Sequence, residues 1–327
     1  MNVMKLFHQS REFCGHISLL SDAFMTMFSN RTITLTSLSL LAFAGNSVLC
    51  RLALANNAID EFSFTVLRLL SGALVLCLLM SYRRFRTASD SGSGSGNAGT
   101  ASVAPTGSWW GGLLLFVYAI FFSVAYVRVD TGVGALILFG TVQITMILSA
   151  FLKGKQLSIM EWSGVVLAIV GVGYLLWPEE GNGVVAISWW GAGMMMVSGV
   201  AWGLYSLQGA LSRDALADTT ANFVRAVPMV ACLLAVFMFQ APVLSLNGIL
   251  LAFASGILMS GVGYAIWYAV LPSLSSVQAA VMQLLVPILA AIGGVLFAHE
   301  QITIDLFISS ILVLGGILLV VMFRSRA

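Results

Sequence analysis

The chain has 327 residues, of which 59% are hydrophobic and 9% are charged, and its formal net charge is +2. Soluble globular chains carry about 25% charged residues, so this composition excludes a water-soluble core and indicates an integral membrane protein. The small net charge argues against a nucleic-acid partner. The four cysteines are scattered and form no CxxC pair, so we expect no disulfide framework, no metal ion and no cofactor.

Residues 1–33 precede the first long apolar run. They mix basic, acidic and polar residues and contain no clean apolar stretch that ends in a small-residue cleavage site. We therefore predict a cytoplasmic N-terminal extension rather than a signal peptide.

Ten apolar runs follow, each of about 20 residues and so long enough to cross the hydrocarbon core of a bilayer. We predict that they are helices, because backbone groups in lipid must bond within their own segment and the strict alternation of a porin strand is absent. The predicted spans are 34–55, 62–82, 109–127, 131–152 and 158–177, then 189–210, 219–240, 247–270, 275–298 and 302–323.

The loop at 83–108, between the second and third spans, contains the sequence SGSGSGNAG. Alternating serine and glycine is typical of a flexible linker. If the N-terminus is cytoplasmic, this loop is cytoplasmic too.

Basic residues are distributed unevenly about the spans. Eleven of the fifteen fall in segments on the side of the N-terminus, Arg51 and Arg128 fall on the other side, and Arg68 and Arg225 lie within spans. The positive-inside rule therefore predicts a multi-pass protein of the inner membrane with both termini in the cytoplasm.

The two halves of the chain repeat each other. At an offset of 157 residues FTVLRLLSGALVLCLL aligns with ANFVRAVPMVACLLAV, so that Arg68 meets Arg225; from Thr131 onward the offset is 144. The extra 13 residues of the first half fall where the 83–108 loop lies. Because each repeat holds five spans, an odd number, the halves must enter the membrane in opposite orientations.

We therefore predict an all-α integral membrane protein of ten transmembrane helices, arranged as two inverted five-helix repeats at 34–178 and 188–323. Many secondary transporters build alternating access from this architecture, around a site near the membrane midplane. A duplicated membrane protein that moves no solute is the alternative.

Several stretches resemble the drug/metabolite transporter superfamily, in particular its ten-helix EamA-type members. They are AFAGNSVLCRLAL in the first span, the arginine-containing starts of spans two and seven, AYVRVDTGVGALI running into span four, and YAVLPSLSSVQAAVMQLLVPILAAIGGVLFAHEQIT around span nine. The family's acidic step after span nine is matched by Glu300. The equivalent step after span four, 154–158, lacks an acidic residue. The resemblance implies a transporter of small metabolites that works outward.

Arg68 and Arg225 lie several residues inside their spans. A guanidinium in hydrocarbon costs at least about 2.5 kcal/mol, so each needs a partner, a water-filled cavity or a route to the interface. Snorkelling of the long side chain to the headgroups is one interpretation, and a lock on carbonyls or an acid is another. The functional hypothesis is a cavity cation that attracts a carboxylate or phosphate, with Arg68 toward the outer face and Arg225 toward the inner.

Other polar and aromatic side chains lie nearer the middle of their spans. Amides buried in lipid must either tie helices together or line a path, and aromatic rings can stack on a planar solute or simply pack. The remaining candidates for the substrate cavity are Asn46, Gln143, Trp202, Tyr205 and Gln283, with the cluster Tyr264, Trp267 and Tyr268 of the eighth span.

Carboxylates and imidazoles are absent from mid-depth in the predicted spans, whereas proton-coupled carriers usually need one there. We therefore expect facilitated diffusion or exchange, with Asp130, Glu300 and Asp305 as the peripheral coupling candidates. Amino acids are the first substrate hypothesis, since a cavity with arginines, neutral amides and aromatic side chains could bind their charged, polar and apolar groups. Purine-like or drug-like solutes are a second.

A channel-like pore is the alternative mechanism, because the tripeptide Val-Gly-Tyr of selectivity filters occurs around Gly173 and Gly263. No Walker A, HExxH or GxSxG motif is present, so we expect no enzymatic activity. The expected partners are the lipid bilayer and a small-molecule metabolite. A homodimer and a monomer are the alternatives for assembly.

Overall fold

The computed structural model describes residues 30–91, 107–154, 156–177, 188–209, 212–235, 241–274 and 276–323; most of the predicted N-terminal extension and of the linker lies outside them. The regular secondary structure of the described part is helical apart from one isolated β-bridge between Ile59 and Leu244. Its α-helices are α1 Asn30–Ala55, α2 Glu61–Ser91, α3 Trp109–Tyr126, α4 Thr131–Leu152, α5 Ile159–Leu175, α6 Trp189–Gly209, α7 Ala215–Leu234, α8 Leu246–Ala254, α9 Gly263–Val270, α10 Ser276–Gln283, α11 Leu285–Ala298 and α12 Ile304–Phe323.

Each predicted run contains helix, with ends close to those predicted. Helix α2 extends to Ser91, well past the predicted end at 82. Helix α7 begins at Ala215, four residues early, because the Asp214 side chain caps it by accepting from the Ala217 amide. Part of the predicted end of that run, 236–240, lies outside the described residues.

Two predicted runs are not single regular helices. In the eighth run a π-helical segment, Ser255–Val262, separates α8 from α9. In the ninth, the helix breaks at Leu284, between α10 and α11. Pro287 lies three residues after this break, where its missing N–H costs little because the first turn of a helix has no internal acceptor for it.

Seven helical stretches in the described part are long and apolar enough to cross a membrane. They are Asn30–Ala55, Glu61–Arg86, Trp109–Tyr126, Thr131–Leu152, Leu246–Val270, Gln278–Ala298 and Ile304–Phe323. Helix α5 has only 17 residues, α6 contains five glycines, and the first turns of α7 are polar. Length and composition alone therefore identify fewer spans than the ten predicted.

The bundle is apolar outside and partly polar inside. Large aliphatic side chains such as Leu74, Leu78 and Ile169 are exposed, whereas serines on several helices are fully buried. The tryptophan pairs that begin α3 and α6 are also exposed, as expected of anchors at a lipid–water interface. This distribution is that of a protein whose solvent is lipid.

Helix packing involves both halves of the chain. Helix α1 packs on α11 and on the α8–π–α9 stretch, and α6 packs on α4 and α3. Helix α2 packs on α7, α4 on α11, and α5 on α12. The last pair meets through Gly164 and Gly316, where the backbone of each glycine leaves no room for a side chain on the other.

The π segment lies directly against α2 because Gly256 has no side chain. A Cβ added there would lie 1.9 Å from Ser71 Oγ and 2.4 Å from the carbonyl oxygen of Arg68. The oxygen of Arg68 belongs to the backbone, so α2 itself would have to move. This close approach brings the hydroxyls of the π segment to the middle of the bundle.

Replacing Gly256 with alanine should therefore destabilise the protein by about 1–3 kcal/mol, the usual cost of overpacking. The measurement is the thermal unfolding midpoint of the purified protein in detergent. Gly173→Ala is the matched control, because no atom lies within 4 Å of a Cβ added at Gly173. Equal midpoints for the two variants would contradict this packing.

Candidate functional site

A small cavity lies inside the bundle, where the two halves of the chain meet. It measures about 20 Å³, room for about one water molecule. Side chains from both halves surround it. They are Phe43, Asn46, Ser47, Tyr118, Phe122, Leu138 and Phe139 from the first half and Trp202, Met259, Tyr264 and Gln283 from the second.

Aromatic rings form a continuous wall around the cavity, centred on Trp202. The centroid of its ring system lies 4.7 Å from the Tyr118 ring and 5.3 Å from the Tyr264 ring. Tyr205 stacks on Trp202 from outside the cavity, at 5.4 Å. Phe43 meets Tyr264 edge-on at 5.8 Å. Such a wall suits the apolar part of a small solute.

Arg68 lies immediately behind this wall and is 2% exposed. Its Nε donates to Ser260 Oγ at 3.2 Å, and its Nη2 donates to Tyr118 Oη at 3.1 Å. The guanidinium carbon also lies 4.9 Å from the centre of the Phe122 ring. No carboxylate of the described residues forms an ion pair with Arg68, and its Nη1 has no hydrogen-bond partner among them.

The snorkelling interpretation therefore does not describe Arg68, whose charge stays in the interior. Arg225 differs from it. Arg225 is half-buried against the beginning of α3, with its side chain next to Gly107 and Gly112. The two arginines that align in the sequence repeat thus have different surroundings.

The π segment supplies part of the polar network behind the cavity. Ser255 Oγ donates to Asn46 Oδ1, and the Asn46 amide nitrogen lies 3.4 Å from Tyr118 Oη. Ser260 accepts from Arg68. Short π-helical segments often occur at functional sites, because they shift side chains relative to the regular helix on either side.

The ten predicted cavity residues occupy three kinds of position. Asn46, Trp202, Tyr264 and Gln283 line the cavity. Arg68, Tyr205 and Trp267 lie behind residues that line it. Gln143, Arg225 and Tyr268 do not line it: Gln143 is buried in α4, and Tyr268 is near Tyr205 and Thr219.

One end of the bundle, which we term the Glu300 end, is closed by an ion-pair network. Arg51 donates to Glu300 Oε1 at 3.1 Å, to Asp130 Oδ1 at 2.8 Å and to the Tyr126 carbonyl at 2.9 Å. Glu300 in turn accepts from the backbone amide and the hydroxyl of Thr131. The network joins α1, α3, α4 and the end of α11.

The other end, which we term the Asp214 end, is held by polar contacts and one ion pair. Arg83 forms a two-pronged pair with Asp214, and this guanidinium holds the pKa of the Asp214 carboxyl below its usual range. Deeper in, Gln208 donates to Ser108 Oγ, and the Ser108 amide donates to Asn222 at 2.9 Å. Glu61 begins α2 at the Glu300 end, and Arg83 lies 22 residues later, about 33 Å along the helix. The Glu300 end and the Asp214 end are therefore on opposite sides of the bundle.

The sequence did not identify all of these residues as candidates. Tyr118, Ser255, Ser260 and Met259 were missed because a tyrosine or serine in an apolar run has no distinguishing pattern. Arg51 and Glu300 lie in motifs quoted above, but their pairing across 249 positions has no local signal. Among the described residues, no three His, Cys, Asp or Glu side chains lie together as metal ligands would.

Comparison with known proteins gives a consistent result. Residues 189–322 match the EamA-like transporter family. An uncharacterized protein of Pseudomonas aeruginosa is 46% identical over 296 residues, which cover 90% of this chain and 96% of that protein. An uncharacterized transporter of Archaeoglobus fulgidus is 27% identical over 64% of this chain and 74% of its own length.

A third relative, the uncharacterized transporter YoaV of Bacillus subtilis, is 23% identical over 58% of this chain and 66% of its own length. A solved crystal structure superposes with a TM-score of 0.56 and covers 89% of this chain and 99% of its own. Its sequence identity is 19%, so the likeness concerns the fold alone.

Proposed function

Because the chain belongs to the EamA-like transporter family, and is therefore a multi-pass membrane transporter, we propose that it carries small organic metabolites such as amino acids by alternating access. The central cavity is the proposed substrate site. The observation that carries this proposal is that both halves of the chain line the cavity. Each end of the bundle has its own closing contacts.

The packing of the helices supports the inverted repeat. In the repeat, α1 is equivalent to α6, α4 to α11, and α3 to the α8–π–α9 stretch. Helix α1 packs on α11 and on the α8–π–α9 stretch, and α6 makes the equivalent contacts with α4 and α3. The pairs α2–α7, α4–α11 and α5–α12 each join one helix to its equivalent in the other half. Ten spans, five in each repeat, are therefore our proposed topology, and the short α5 and the polar start of α7 belong to it.

The small volume of the cavity fits a contracted state between two open ones. An amino acid needs more than the space of one water molecule, so binding requires at least one end to part. The Arg51–Glu300 network is the proposed gate at one end. The Ser108–Gln208–Asn222 contacts, beside half-buried Arg225, are the proposed gate at the other.

The distribution of basic residues supports a cytoplasmic Asp214 end and an outward-facing Glu300 end in the inner membrane. Both termini are then cytoplasmic. Acidic side chains of the described residues lie in loops or near helix ends, so no mid-depth carboxylate is at hand to carry a proton. We therefore propose export or exchange that follows the gradient of the solute itself.

Counterflow in proteoliposomes tests this function. Vesicles loaded with an unlabelled solute should transiently accumulate the labelled form of the same solute, across a panel of amino acids, purines and organic amines. Accumulation supports a carrier, and equilibration without accumulation supports a channel-like pore. A panel in which only purines or amines exchange would favour the second substrate class, for which the stacked Trp202 and Tyr205 are the structural reason.

Replacing Trp202 with alanine should lower the apparent affinity for the exchanged solute about tenfold, because one aromatic wall contact is worth roughly 1–2 kcal/mol. The measurement is the concentration dependence of counterflow. Trp109→Ala is the control, since Trp109 is 61% exposed on the outside of the bundle. Equal losses of apparent affinity in the two variants would mean that the cavity is not on the transport path.

A further inference from the structure

The hydroxyl of Tyr118 has both of its acceptor positions occupied. Arg68 Nη2 donates to it at 3.1 Å, and the Asn46 amide donates at 3.4 Å. A phenolic oxygen can accept two hydrogen bonds and donate one. The hydrogen bonds of this hydroxyl within the described part of the chain are accepted ones, so its proton still needs an acceptor.

The orientation of Asn46 is fixed by its other contact. Ser255 Oγ donates to Asn46 Oδ1, so the amide nitrogen of Asn46 is the atom next to Tyr118 Oη. Asn46 is therefore a donor to Tyr118 and leaves the tyrosine proton free for the cavity that Tyr118 lines.

The charge behind Tyr118 lacks a counter-ion. Arg68 is fully enclosed by Tyr118, Phe122, Ser260 and their neighbours, and no carboxylate of the described residues pairs with it. A buried cation without a partner is costly. An anion in the cavity would offset this cost, whereas a cationic solute would increase it.

The charge also strengthens the tyrosine as a donor. A hydroxyl that accepts from a cation becomes a better donor, because chains of hydrogen bonds polarise one another in a low-dielectric interior. A carboxylate is the acceptor that gains most from such a donor. A phosphate dianion would bring more charge than one guanidinium offsets and would cost more to desolvate among aromatic rings.

We propose that Tyr118 binds the carboxylate of the transported solute, and that Arg68 is the positioning residue that turns and polarises the tyrosine hydroxyl without touching the solute. The ligand class is an organic monocarboxylate or an amino acid, bound as the carboxylate. The inference rests on the proposed transport function, but it is narrower. It assigns recognition of the carboxylate to Tyr118, and it assigns to the Arg68 charge an effect on the solute that is transmitted by the Tyr118 hydroxyl.

The test compares each acid with its own amide and methyl ester as competitors of counterflow. For the wild-type protein we expect the acid to compete at least about tenfold better than its neutral derivatives, the value of one charge-assisted hydrogen bond. Tyr118→Phe should reduce this preference to about threefold or less while leaving competition by the ester unchanged. Tyr82→Phe is the control, because Tyr82 is 60% exposed at the other end of α2 from the cavity.

Arg68→Lys tests the positioning role, because lysine keeps the charge and a single donor group, its ammonium. We expect it to retain part of the preference for the acid, whereas the uncharged Arg68→Gln should lose it; equal preference in these two variants would overturn the role of the charge. Wild-type preference in Tyr118→Phe would overturn the role of the tyrosine. A wild-type protein that exchanges acids and esters equally well would overturn the inference and leave the transport function standing, whereas no counterflow with any solute would reject both.

Discussion

Arg68→Met should lower the apparent affinity for an acid substrate at least about tenfold, because Tyr118 loses the charge that polarises it, and should leave the protein as stable as the wild type or more stable. Methionine fills most of the volume of arginine without its charge. Replacing a buried ionic group with an apolar side chain is often neutral or stabilising, by up to about 4 kcal/mol. A residue that is costly to the fold would then be one that recognition of the substrate needs.

Two measurements on the same preparation check this prediction: counterflow in proteoliposomes and the thermal midpoint in detergent. Arg84 is an exposed residue on the same helix, so Arg84→Met should alter neither counterflow nor the thermal midpoint. Arg225→Ala should lower transport less than Arg68→Met does, because Arg225 lies beside α3 and outside the cavity wall. A clear fall in thermal midpoint with transport retained would make Arg68 a structural residue only.

Glu300→Gln should weaken closure of the Glu300 end. The carboxylate binds Arg51 and also the amide and hydroxyl at the beginning of α4, so one substitution loosens three helices. Its side chain is 11% exposed and that of Arg51 is 17% exposed. Removing one partner of such a pair costs about 3 kcal/mol, enough to move a conformational equilibrium more than about a hundredfold.

The expected result is a lower thermal midpoint and slower exchange, since a gate that stays open interrupts the cycle. Glu61→Gln is the control, because this residue begins α2 at the same end of the bundle and takes no part in the Arg51 network. Glu300→Asp, which keeps the charge, should recover part of the loss. If Glu300→Gln and Glu61→Gln behave alike, the network is not a gate.

The helices themselves could be predicted because their signal is local. A run of about 20 apolar residues identifies a span whatever its neighbours are, and the bounds of α3, α4 and α6 fall within a residue of those predicted. The π segment could not be predicted, since a change of backbone hydrogen bonding leaves the apolar pattern of Ser255–Val262 intact.

The residues of the site were predicted less well, for a different reason. Arg68 and Arg225 occupy equivalent positions in the repeat, and the sequence treats them alike. Their surroundings come from distant segments: the π segment and Tyr118 for Arg68, and the beginning of α3 for Arg225. Non-local packing therefore decides which arginine contacts a residue that lines the cavity.

In alternating access the cavity opens to the two membrane faces in turn. Met259→Cys, in a background without the four native cysteines, places one thiol on the cavity wall. An impermeant thiol reagent should label it from either face of oriented vesicles, and Glu300→Gln should raise labelling from the outside while lowering it from the inside. Labelling that rises from both faces together, or that occurs from one face only in both the wild type and Glu300→Gln, would rule out alternating access.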